Sequence, residues 1–197
     1  MEPIRRKALI DATIAEVGAA GSLDVTVSQI ARRAGMSSAL AHHYFGGKDQ
    51  MLLAAMRHIL SIFGAHVRIE LVQTQTPTGR LRAIIAASFH PQNFDEEVVT
   101  AWLAFYLQAQ TSAEARRLLR VYGRRLHTNL CYNLRPLVPA ERVDPIAHGI
   151  AALIDGFYIR NALQDRVPSR DETINMVEEY LDLQLARHLK PTSGGRQ

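Results

Sequence analysis

The chain has 197 residues, enough for one or two domains, with the ordinary globular balance of 47% hydrophobic and 21% charged residues. A single cysteine, Cys131, excludes an internal disulfide framework and any multi-cysteine zinc or iron–sulfur centre. The formal net charge of +4 permits a polyanionic partner, but residues 1–50 hold six basic and five acidic groups, so a nucleic-acid reading must rest on placement.

The periodicity is helical almost throughout. Ile10, Ile14 and Val17 line one face of a first helix, ended by Gly18 and Gly21. Thr26 and Gln29 form a capping box that opens a short second helix with Val27, Ile30, Ala31 and Ala34 inward. Gly35 supplies a left-handed turn, and Ser37 caps a third short helix reaching about His43. Gly46 and Gly47 break it.

A long fourth helix starts at Lys48 and carries Leu52, Met56, Ile59, Phe63 and Val67 along one stripe. Thr76-Pro77 reads as the cap and first residue of a fifth helix to about Phe89. Asn93 and Glu96 open a sixth through Trp102 and Tyr106, and Ser112 caps a seventh with Leu119, Tyr122, Leu126 and Leu130 inward. Asp144-Pro145 starts an eighth helix to about Leu163; Ser169 and Glu172 cap a ninth carrying Ile174, Val177, Leu181 and Leu185. The expectation is an all-α protein of about nine helices, divided into a helix-turn-helix domain (1–47), a helical ligand-binding and dimerisation domain (48–190) and a disordered tail (191–197).

The longest unbroken apolar run, Ala101–Leu107, falls far short of the roughly 18 residues of a membrane span. Asp11 and Glu16 make the basic start amphipathic rather than an export signal, so a cytoplasmic protein with no membrane partner is expected.

The most specific signal is TVSQIARRAGMSSALAHHYFGGK, residues 26–48. Two short helices around a glycine turn follow the helix-turn-helix plan, in which the second helix offers its N-terminal residues to base edges in a major groove. Ala31 and Ala34 are small enough for close helix approach. Ser37 caps the reading helix, and Lys48 stands where a cation and helix amides meet one phosphate. Ser38, Ala39, Ala41, His42 and His43 form a helix poor in long apolar side chains, unlike a core helix, and Tyr44 adds a phenol in reach of a phosphate. A plain helical hairpin is the competing reading.

The run Thr26-Val27, Ile30-Ala31, Ala34-Gly35 and Ser37, then His43-Tyr44-Phe45, Lys48 and Leu52, resembles the TetR family of bacterial transcription repressors. The likeness departs at Ala39, where the family usually has glycine, and at His42, where it usually has tyrosine. It implies a double-stranded DNA operator contacted by Thr26, Ser37, Ser38, Ala39, Leu40, His42, His43, Tyr44 and Lys48. The stretches 101–106 and 152–160, with Asn93-Phe94-Asp95, resemble the choline-responsive repressors of glycine betaine synthesis genes within that family. That likeness implies a homodimer released from DNA by choline.

The residues suit such a ligand. Aromatic faces hold a quaternary ammonium, often beside a carboxylate. Trp102 and Tyr106 lie one turn apart, Asp155 and Tyr158 likewise, and Phe89 ends the preceding helix; these are the candidate ligand residues, with core packing as the alternative. Asp155 sits in an apolar stretch, so it needs a partner: a bound cation, a helix end or Arg160. Gly149, Ala152 and Gly156, at close-packing spacing, join Val177 and Leu181 as the candidate dimer interface, with intramolecular packing as the alternative. The Arg116, Arg120 and Arg124 row reads as a solvated face.

Nucleophile-elbow, phosphate-loop and zinc-protease motifs are absent from the sequence, so neither an enzyme nor a cofactor is expected. His42 and His43 project about 100° apart on a helix and cannot share a metal. Two alternatives stay open: a regulator answering other lipophilic or cationic compounds, and a helical ligand-binding protein that does not bind DNA.

Overall fold

In the computed structural model, which describes residues 2–163 and 168–188, capping side chains set most helix starts. Among the described residues there are nine α-helices, one short 3-10 turn and no strand. They are α1 (Glu2–Ala20), α2 (Val27–Arg33), α3 (Ser38–Phe45), α4 (Lys48–Val72), α5 (Pro77–Ser88), α6 (Glu96–Thr111), α7 (Ala113–Leu134), α8 (Ala140–Leu163) and α9 (Arg170–His188), with the 3-10 turn at Pro91–Asn93. The expected tail, 191–197, lies outside the described residues.

Thr26, Ser37, Thr76 and Ser112 each accept a backbone N–H of the first turn that follows, as their spacing predicts. Ser169 and Glu172 exchange bonds across the start of α9 at 2.8 and 3.2 Å. Three starts and stops differ from expectation. Gly18 lies inside α1, which continues to Ala20; Gly21, at φ 61°, follows its end. Gly18 instead allows a close approach, since a Cβ there would collide with the Glu97 backbone, whose Cα would stand 2.8 Å away. The cap of α6 is Asp95, which accepts from the Glu97 N–H at 3.1 Å. α8 starts at Ala140 and takes Pro145 inside it, near enough to its N-terminus that little of the hydrogen-bond ladder is lost.

α1 packs on both α4 and α6, α2 packs on α1 and α3, and α3 meets α4; the apolar core runs unbroken from Leu9, Val17 and Ile30 through Met56 to Phe105, Leu130 and Ile154. α4 is, by length and average composition, the one described helix apolar enough to cross a membrane. Its buried residues, including Leu52, Met56, Ile59, Phe63 and Val67, face the rest of the chain as core.

Candidate DNA-reading helix and ligand cavity

α2 and α3 meet around Gly35, whose φ of 66° lies in the left-handed region that favours glycine. Ile30, Ala31, Ala41 and Phe45 turn inward. Ser37, Ala39, His42 and His43 are left exposed, while Ser38, Leu40 and Tyr44 are half-buried. Ser38 Oγ lies 3.0 Å from Ser28 Oγ and braces α3 on α2. Thr26 is exposed, its hydroxyl engaged with Gln29 in the capping box. His42 Nδ1 lies 3.2 Å from the Gly46 carbonyl, so the tautomer protonated there donates to it.

Much of the basic charge in this module is internally engaged. Arg6 donates to the Tyr44 carbonyl at 2.6 Å and lies 4.6 Å over the Phe45 ring, tying α1 to the end of α3. Lys48 Nζ donates to the Leu23 carbonyl at 3.3 Å. Arg33 reaches Glu16 at 3.3 Å and Glu97 at 3.6 Å. Glu97 therefore links the N-terminal module to α6, a partner that sequence reasoning did not find.

In the body, Ile59, Leu60, Phe63, Val98, Trp102, Tyr122, Asp155 and Tyr158 line one cavity. Its free volume is about 20 Å³, little more than one water needs. Trp102 meets Tyr106 and Tyr122 edge-on at 5.3 and 5.7 Å, and Phe63 meets Tyr122 at 4.9 Å. Tyr106 donates to Asp155 Oδ1 at 3.1 Å, so a phenol on α6, and not Arg160, is the carboxylate's protein partner. Among the described residues no cation pairs with Asp155. Burial raises its carboxyl above the usual range, with the Tyr106 hydrogen bond acting the other way. Tyr106, Tyr122 and Tyr158 are held as neutral phenols by burial first and by the nearby Asp155 charge.

Of the five expected ligand residues, Trp102, Asp155 and Tyr158 line the cavity, and Tyr106 is tied to it through its hydrogen bond to Asp155. Phe89 does not line it: fully buried, it stacks on Tyr158 at 5.9 Å and acts as backing. Phe63 and Tyr122 were legible only as inward-facing residues, because helical spacing does not say which inner face borders a cavity.

The expected dimer residues divide. Val177 and Leu181 are 0% exposed within one chain, so they belong to its own core and not to a partner contact. Gly149 faces α9, where a Cβ would overlap the Tyr180 ring, 2.7 Å from Cζ. Its small size serves intramolecular packing. Ala152 is exposed, and a Cβ on Gly156 would meet nothing within 4 Å. Ile159 and Leu163 continue that stripe outward along α8, and Met176 and Leu183 are exposed on α9; none of these four was expected. Arg116, part of the expected solvated row, reaches back to the Ala109 and Gln110 carbonyls and closes the end of α6.

Residues 9–55 match the family model for bacterial regulatory proteins of the tetR family, and residues 77–186 match the BetI-type transcriptional repressor C-terminal model. The chain belongs to the TetR family, in its BetI-type branch. It is 52% identical over 185 residues to the HTH-type transcriptional regulator BetI of Brucella anthropi, covering 94% of this chain and 95% of that one. It is 45% identical over 196 residues to the BetI of Rhizobium meliloti, covering 100% and 95%. A transcriptional regulator from Saccharomonospora viridis, solved in complex with choline, shares the fold with a TM-score of 0.81 at 20% identity, covering 94% of this chain and 98% of that one. Family membership makes the chain a TetR-type transcriptional repressor and fixes the role class of the helix-turn-helix.

Proposed function

We propose that this repressor holds the genes of choline-to-glycine-betaine conversion silent and leaves its operator when choline enters the α4–α6–α7–α8 cavity. The observation that carries the reading is Asp155: a carboxylate with no cationic partner among the described residues, beside Trp102, Tyr122 and Tyr158. A quaternary ammonium satisfies that charge without needing a hydrogen-bond acceptor, and the ring faces add roughly 0.5–2 kcal/mol each. The choline complex of the Saccharomonospora viridis regulator and the BetI relatives support the same ligand.

The cavity also supports a release mechanism. A trimethylammonium group needs several times the free volume present, so binding favours a wider shape of the body. Ile59, Leu60 and Phe63 belong to α4, whose first residue, Lys48, follows the reading helix after two glycines. Val98 and Trp102 belong to α6, whose Glu97 meets Arg33 of α2. Widening thus moves both elements that carry the helix-turn-helix.

Operator binding needs two copies, because one short reading helix contacts too few base pairs for specificity. The outward stripe of Ala152, Gly156, Ile159 and Leu163 with Met176 and Leu183 suits a two-fold four-helix interface. Ser37, Ala39, His42 and His43 would face the groove, Tyr44 and Lys48 the phosphates, and Thr26, Ser38 and Leu40 would support them at its edge. Such a regulator works in the cytoplasm, where its DNA is.

A thermal-shift panel tests the ligand class. Choline should raise the melting temperature, betaine aldehyde less or equally, glycine betaine little because its carboxylate meets Asp155, and large dye cations not at all. A response to dyes without one to choline would make the chain a multidrug-type regulator.

A further inference from the structure

Away from the choline cavity, α7 and α8 bring together three residues that lie far apart in sequence. His127 Nε2 stands 3.0 Å from Asp144 Oδ1, and His148 Nδ1 stands 3.2 Å from Asp144 Oδ2. The two imidazole rings are 4.5 Å apart, and one ligand atom from each of the three residues falls within 4.8 Å of the others. We propose that His127, Asp144 and His148 bind one divalent transition-metal ion of the zinc class, with water completing the shell.

The geometry carries this reading. Donors about 2.1 Å from a common tetrahedral ion stand roughly 3.4 Å from one another. His127 Nε2 and Asp144 Oδ1, 3.0 Å apart, need only a few tenths of an ångström of adjustment, while the widest donor separation, within 4.8 Å, closes with a side-chain rotation on this exposed face. His148 is one turn beyond Asp144 on α8, so the helix itself sets its ring beside the carboxylate; its Nδ1 also lies 3.0 Å from the Asp144 carbonyl, a contact that ligation through Nδ1 gives up. His127 approaches from α7, so the site is not formed by one helix alone. Two imidazoles and one carboxylate select a borderline ion over magnesium or calcium, which take oxygen ligands. Cys131 Sγ lies 3.7 Å from both His127 ring nitrogens, but burial favours its protonated thiol, and it is not counted among the ligands.

The ion would fasten the last third of α7 to the second turn of α8. The site adds stability to the body and takes no part in choline recognition.

The test uses the full-length protein stripped with a chelator and titrated with zinc alone. One ion per chain should bind, with a rise in melting temperature that equal magnesium does not produce. His127→Gln and His148→Gln should each weaken zinc at least about ten-fold, the size of even an outer-shell loss, while the choline-induced shift stays. Cobalt in the wild-type protein supplies a readout independent of folding of the variants: a visible band of tetrahedral intensity that added zinc displaces and added magnesium does not. No cobalt band, an equal response to magnesium, or undiminished zinc binding in the double histidine variant would overturn the assignment.

Discussion

The Tyr106 hydroxyl donates to Asp155 across 3.1 Å and joins α6 to α8 at the rim of the cavity. This single bond leaves the Asp155 charge short of a cation in a half-buried site. Burial raises the carboxyl's pKa in the folded chain above its unfolded value. The resulting stability is therefore fully present below the unfolded value and is lost as pH rises through the raised folded value.

Asp155→Asn should make the ligand-free protein more stable at neutral pH, since the amide oxygen can still accept from Tyr106 while the buried charge is gone. The same change should weaken choline by about 2 kcal/mol or more, roughly thirty-fold. In the wild type, choline affinity should fall as Asp155 protonates on acidification. Thermal melts and calorimetry of both proteins across acidic to neutral pH check the three outcomes together.

Glu97→Gln concerns communication rather than either site. The Arg33–Glu97 contact, at 3.6 Å and half-exposed, is worth little as static stability. It joins the element carrying Trp102 to the helix-turn-helix. Its loss should reduce the coupling between choline and operator by about 0.5–2 kcal/mol. The check is the ratio of operator affinities with and without choline, which a merely destabilised protein would leave unchanged.

Sequence spacing encodes local contacts and leaves remote ones unwritten. Caps such as Thr26, Ser37, Thr76 and Ser169 announce themselves locally, because the side chain and the amide it bonds are three residues apart or fewer. The inward face of each helix was legible for the same reason. Which neighbour that face meets was not. Spacing leaves Val177 and Leu181 open to a partner or to intramolecular packing, and their face meets the chain's own core, while Ile159 and Leu163 on α8 look out. Gly18 read as a helix end because its partner, the Glu97 backbone, is remote in sequence. Phe63, Tyr122 and the His127–Asp144–His148 group share that obstacle: each acquires its role from another helix.

Gly156→Leu separates folding from assembly. A Cβ there meets nothing within 4 Å inside one chain and the position faces outward beside exposed Ile159, so the protomer should fold. If the α8 stripe is the interface, sedimentation should show monomers with native helicity and intact choline binding, and operator binding should be lost. An unchanged dimer would move the interface elsewhere.

Lys48→Ala addresses the phosphate contact. In the free protein Lys48 is held by the Leu23 carbonyl at 3.3 Å, which leaves two N–H groups of its ammonium for a phosphate. Affinity should drop across all sequences, and the slope of log affinity against log salt should flatten by about 0.9 per chain. Filter binding or fluorescence anisotropy over a salt series measures it; an unaltered slope would remove Lys48 from the contact.

Linkage gives the most direct test of choline as the releasing signal. Choline should be titrated by calorimetry into the free dimer and into the dimer saturated with its operator. If choline favours the widened body and DNA the closed one, DNA must weaken choline by the same factor that choline weakens DNA, commonly about 5- to 150-fold. Choline affinity that is lower in the complex by that reciprocal factor is the predicted result. Equal affinity for the free and the DNA-bound protein would contradict the account.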